Sequence, residues 1–174
     1  MRRPKPGKYQ YRLTSGTNDL AYTLSIVPLR PDELEFRLSR EGSDSEPYET
    51  FRTEDDGLYR IGRGLRGPLE NACNQVPPLL EYTWELTLGQ KWSATSQCQE
   101  RSAKSYRSHV SGMDLNPKEG KRAYVEITTQ SATRNSNEAC TTVSRIEPSS
   151  GLLLDEAQTC HPGPTRTHRW LTSG

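Results

Sequence analysis

The stretch CTTVSRIEPSSGLLLDEAQTC, residues 140–160, decides how this chain folds. Two runs with strand-like alternation, CTTVSRI and LLLDEAQTC, flank Pro148-Ser149-Ser150-Gly151, whose residue types favour a turn. With the turn there, facing residues have numbers that total about 300, and Cys140 lies opposite Cys160. Directly opposed positions of an antiparallel pair hold their Cβ atoms at a separation that suits a disulfide. A one-residue slip would spoil the match, so the stretch predicts a hairpin together with its register.

The same period of two recurs on both sides, and helical periodicity is almost absent. Tyr9, Tyr11 and Leu13 alternate with Lys8, Gln10 and Arg12; Tyr22, Leu24 and Ile26 share a face; Leu34, Phe36 and Leu38 alternate with Glu33, Glu35 and Arg37. ETFRTEDDGLYRI (49–61) reads as two strands joined at Asp55-Asp56-Gly57, a favoured hairpin turn. In ACNQVPPLLEYTWELTLGQKWSATSQC (72–98), strands are expected at 82–88 and 91–98, broken at Gly89-Gln90. SYRSHVSGM, RAYVEITTQ and a final RTHRWLT complete about eleven segments. No internal repeat and no linker divides them, so 1–174 is expected to be one domain, with residues 1–7 as a disordered tail.

Each segment is polar on one face, as in an antiparallel sheet with one solvated side. A sheet of so many strands must curl on itself or split into two layers. The expected architecture is therefore all-β, a strongly curved half-barrel or barrel, with a two-layer sandwich as the alternative. Curling also accounts for a thin core: only 31% of residues are apolar and the mean hydropathy is −0.88. The 23 basic and 22 acidic residues nearly cancel, which argues against nucleic-acid binding through a basic face.

Cys73, Cys98, Cys140 and Cys160 lack the C-x-x-C spacing of zinc and redox motifs, so two structural disulfides and an oxidising compartment are expected. The first would be Cys73–Cys98, tying an irregular loop at 64–80 to the sheet edge; in the chain-entropy picture closing such a loop is worth about 3 kcal/mol. MRRPKPGKYQY has charge without an apolar run behind it and is no signal peptide, and no segment approaches a membrane span. The expectation is an extracytoplasmic domain, secreted, periplasmic or anchored at the cell surface, whose signal or anchor precedes this stretch.

GRGLRG (62–67) is literally G-x-G-x-x-G, but Pro68 follows and no helical pattern does, so the dinucleotide reading fails on context. Read as part of one loop with the preceding Arg60, it offers Arg60, Arg63 and Arg66 as candidate anion-binding groups. AQTC at 157–160, with His109 and Arg166 or Arg169, loosely resembles the cysteine transpeptidases called sortases, which need an activated thiolate. The hairpin register instead commits Cys160 to Cys140. Asp55 and Asp56 are turn residues, and His109, His161 and His168 are not at metal-ligand spacing. No catalytic residue, metal or cofactor is expected.

Around TEDDGLYRI, a cysteine, PPLLEYTWELTLGQKW and a second cysteine, residues 50–98 resemble bacterial exported and lipoprotein domains. The shared hairpin features are Leu86, Gly89, Gln90 and Trp92. Those domains are similar to the half-barrel of periplasmic lipoprotein carriers. The resemblance implies an envelope domain with an apolar cavity and brings no catalytic residues. The functional expectation is thus a non-catalytic binding or interaction domain. Its ligand would be a lipid or other apolar small molecule on the concave face, lined by Tyr22, Phe36, Tyr82, Trp84 and Trp92. Service as an interaction module for an envelope protein partner is the other expected role, and a sortase-like enzyme using Cys160 the alternative.

Overall fold

A computed structural model of the chain describes residues 1–68, 70–98, 103–134, 136–162 and 165–173. Among them twelve strands follow one another: β1 (Gly7–Ser15), β2 (Asn18–Arg30), β3 (Glu33–Ser39), β4 (Glu46–Thr53), β5 (Gly57–Arg66) and β6 (Asn71–Thr83) form the first half. The second half is β7 (Lys91–Cys98), β8 (Lys104–Asp114), β9 (Tyr124–Thr133), β10 (Ala139–Ile146), β11 (Leu153–His161) and β12 (Thr165–Ser173). Every strand is antiparallel to its neighbours in sequence, and β12 returns to pair with β1. The expected curl therefore runs to completion as a closed barrel, which leaves neither edge of the sheet unpaired.

The 140–160 hairpin has the register its sequence requires. Cys140 faces Cys160, Val143 faces Ala157 and Arg145 faces Asp155; a bulge then brings Ile146 opposite Leu153. Cys140 and Cys160 are bonded, with Cα atoms 4.1 Å apart. Gly151 closes the turn at φ +67°, a conformation that favours glycine.

Cys73 and Cys98 are bonded too, but the strands around them differ from expectation. The 64–80 region is not an irregular loop: β5 continues to Arg66, and β6 begins at Asn71. The 82–88 segment is not a strand: β6 ends at Thr83, and 84–90 form the turn into β7. Pro77 and Pro78 explain the misreading, since residues without an N–H cannot donate to a ladder. Arg60 pairs with Leu79 and Gly62 with Asn74, so Gln75–Pro78 bulge out opposite Ile61. The bulge is held from the other side: Gln75 pairs with Cys98, and the Ser96 hydroxyl lies 2.6 Å from Gln75 Oε1 and 2.7 Å from the Pro77 carbonyl. GRGLRG likewise lies mostly in β5 rather than in a loop. At Gly64 a Cβ would meet the Tyr48 ring at 2.7 Å and the Asn71 carbonyl at 2.3 Å.

Inward side chains at the lower end, where the 54–56, 84–90 and 147–152 turns lie, are apolar. Phe51, Leu58, Tyr82, Val110, Val125, Ile127 and Ile146 form one cluster, and Tyr11, Leu24, Ile26, Leu34 and Leu152 another. Residues 1–6, the greater part of the 1–7 stretch expected as a disordered tail, pass under this end. Pro4 is fully buried, Arg2 donates its backbone N–H to the Pro148 carbonyl at 3.0 Å, and Met1 packs on the first cluster. The short apolar core is a floor at one end of the barrel.

Candidate functional site

Above the floor the barrel encloses a cavity of about 760 Å³, within the range of small-molecule sites. Its lower wall is apolar, including Phe36, Phe51, Leu58, Ile127 and Trp92. On the β9–β11 side its upper wall is polar, with Thr129 and Ser131 from β9, Thr142 and Ser144 from β10, and Gln158 from β11 facing the space, while Leu38, Pro47 and Leu65 line it on the β3–β5 side. Between the two lies a belt of charge built on inward positions that the alternation of strands dictates.

Arg60 is the hub of the belt. Its Nη1 donates to Glu49 Oε1 on β4 at 2.5 Å, and its Nε lies 3.0 Å from Glu81 Oε1 on β6. That second contact is an ion pair without a well-aimed N–H, so Arg60 Nε and Glu81 Oε1 both remain buried without a hydrogen bond. About 39% of the Glu49 side chain is solvent-accessible, yet the surrounding wall encloses it, so that surface borders the lumen. Arg169 on β12 donates to Glu156 on β11 at 2.9 Å, completing the belt across the lumen. Arg63, which faces Glu49 across the β4–β5 ladder, lines the cavity and has no carboxylate within 4.0 Å among the described residues.

These neighbours set the protonation of the carboxylates. Burial pushes Glu81 up, the Arg60 charge opposes this, and Glu49 and Glu156 push it further; it ends above the ordinary glutamate value. Burial works the same way on Glu49, but Arg60, by charge and hydrogen bond, with Arg169 and Arg63, reverses it and holds that carboxyl below the ordinary value. Burial and then the Glu81 charge raise the Tyr82 phenol. One guanidinium thus fully serves one carboxylate, while the second carboxylate is driven toward its neutral form.

The lumen brings together Phe36, Tyr82 and Trp92 of the predicted ligand residues and Arg60 and Arg63 of the predicted anion group. Phe36 stacks on Phe51 with ring centroids 4.5 Å apart. Tyr22 packs with the Tyr11 cluster and does not line the cavity. Trp84 sits in the β6–β7 turn outside the cavity, its indole donating to the Glu54 carbonyl at 2.8 Å. Arg66 faces outward, because it follows inward Leu65: it pairs with buried Glu35 at 2.8 Å and stacks on Tyr48. It belongs to no lumenal anion site. The thiol chemistry weighed for Cys160 is overturned, since all four cysteines are in disulfides. Glu49, Glu81 and Glu156 had no expected role, and Arg169 entered only beside Cys160 in the sortase-like alternative. The available signal was charge at inward-parity positions, such as Glu49 two residues before Phe51 and Arg169 two before Leu171.

Among the described residues no helix is long and apolar enough to cross a membrane, and no group of three or more His, Cys, Asp or Glu is placed to hold a metal ion. The barrel's outer wall carries ion pairs, Arg12 with Asp19 and Arg145 with Glu126 and Asp155. A lipid-facing barrel wall presents an apolar band instead. Comparison of the chain with protein-family profiles, curated proteins and solved structures finds no match.

Proposed function

We propose that this barrel is a non-catalytic binding domain that retains one small amphipathic molecule in its lumen. The observation that carries the reading is the cavity of about 760 Å³ with an apolar lower wall and a charged belt above it. A wholly apolar ligand, as the resemblance implied, would leave that belt desolvated and unmatched, which is costly. A molecule with an apolar body and a polar head satisfies both zones.

Two disulfides are compatible with an oxidising extracytoplasmic compartment. Secretion, or anchoring in the cell envelope, extends that reading. The test is binding of N-phenyl-1-naphthylamine, an uncharged dye that brightens in apolar surroundings, with native mass spectrometry of protein isolated without detergent. Bright, saturable 1:1 binding is the expected result, lost when Phe36→Asp places a charge on the lower wall. A dye response that Phe36→Asp leaves unchanged, or no response at all, removes the lumenal reading.

A further inference from the structure

The hydrogen-bonding inventory of the lumen is lopsided. Arg169 Nε, Trp92 Nε1 and the Tyr82 hydroxyl are buried without a partner, whereas Arg60 Nε and Glu81 Oε1, which also lack a hydrogen bond, face each other in an ion pair at 3.0 Å. The Arg169 and Trp92 groups are N–H donors that cannot accept. Buried donors are satisfied in nearly all folded proteins, so the missing complement is rich in acceptors.

Charge points the same way. Arg60 sits between Glu49 and Glu81, Arg169 on Glu156, and Lys104 lies 3.9 Å from Glu138. Arg63 is the lumenal cation left over among the described residues. Arg63 is thus a lumenal guanidinium with no carboxylate in contact. A cationic head would meet the Arg63 guanidinium together with N–H donors, and both repel it.

Resting on the lumenal reading above, we infer that the bound molecule carries an anionic head, a carboxylate or a phosphate, which Arg63 receives in the charged belt while its apolar body lies on the Phe36, Phe51 and Trp92 wall. A guanidinium accepts either head through paired N–H bonds, so the shared chemistry is a compact oxyanion on an apolar chain.

Four probes of equal chain length test this by competition against N-phenyl-1-naphthylamine: dodecanoate, dodecyl phosphate, dodecanol and dodecylamine. The two anions should displace the dye at concentrations at least about tenfold below dodecanol, with dodecylamine weakest, as expected for a charge-assisted bond. Arg63→Gln should remove that advantage and leave dodecanol unchanged, and Arg63→Lys should restore part of it. Whichever anion binds better identifies the head. Dye bound in the lumen with no anion preference, or a preference that survives Arg63→Gln, overturns the anionic head and leaves the lumenal reading standing. Absence of dye binding defeats both. Should Arg63→Gln fail to fold, Arg63→Lys with the same four probes decides, because a headgroup preference indifferent to the guanidinium-to-amine change overturns the assignment to Arg63.

Discussion

Glu49 and Glu81 share one arginine and respond oppositely to pH. A carboxyl held below its ordinary value stabilises the fold above about pH 4.5, and that contribution is lost as pH falls through the lowered value. A carboxyl held above its ordinary value contributes below pH 4.5, and its contribution is lost as pH rises through the raised value. Glu81→Gln should therefore melt above the parent protein at pH 7, with the two curves converging as pH falls toward 4.5. Glu49→Gln should do the reverse at pH 7. It strips Arg60 of its shorter contact and should cost about 2 kcal/mol, between the values for exposed and buried pairs. Thermal melts at stepped pH check both, and equal behaviour of the two variants would refute the assigned asymmetry. At this scale the sequence was hard to read. A charged residue at an inward position looks like an error in the alternation until the strand's parity is fixed by its neighbours. Arg60 and Arg63 stand out by lying beside or within the glycine-rich GRGLRG run, whereas Glu49 and Glu81 have no such marker.

Elements show which local signals survive folding. The 140–160 hairpin was legible because three cues agreed: alternation, a Pro-Ser-Ser-Gly turn and cysteines symmetric about it. The β6 strand was illegible for the opposite reason. Asn71, Asn74 and two prolines argue for a loop, and only pairing to β5 below and above the bulge, with β7 holding it, makes a strand of them. Where tertiary pairing overrides local propensity, a single sequence carries little warning. The disulfide in the legible hairpin closes a separation of 20 residues. Replacing both Cys140 and Cys160 by alanine should cost about 3 kcal/mol, or roughly 6–12 °C in melting temperature for a domain of this size. Calorimetry of the double variant measures it. Dye binding below the lowered melting temperature should persist, because the bridge holds the wall and the belt lies elsewhere on it. Loss of binding in a folded double variant would show that the bridge itself shapes the lumen.

At the scale of the molecule, curvature was readable and closure was not. A count of about eleven segments, one solvated face and few apolar residues all point to a curled sheet. Whether its two ends meet depends on how much twist and shear accumulate around the sheet, and these are sums over every pair. The meeting of β1 with β12 has a temporal meaning. Every other ladder joins strands adjacent in sequence and can form as the chain emerges, but this seam joins the first strand to the last, Arg12 to Trp170 and Thr14 to His168. Its loop-closure cost is the largest in the molecule. Until β12 arrives, β1 and β11 are two raw edges facing outward on an otherwise complete sheet. A chain stopped after Pro162 should therefore associate edge to edge, seen as concentration-dependent light scattering, while the full chain remains dispersed. A monomeric, folded truncation would show that the sheet tolerates an open seam. In the cell the same interval is a window of exposure. A nascent barrel has to be kept from its neighbours until β12 is free, which makes that strand the one that ends its stickiness.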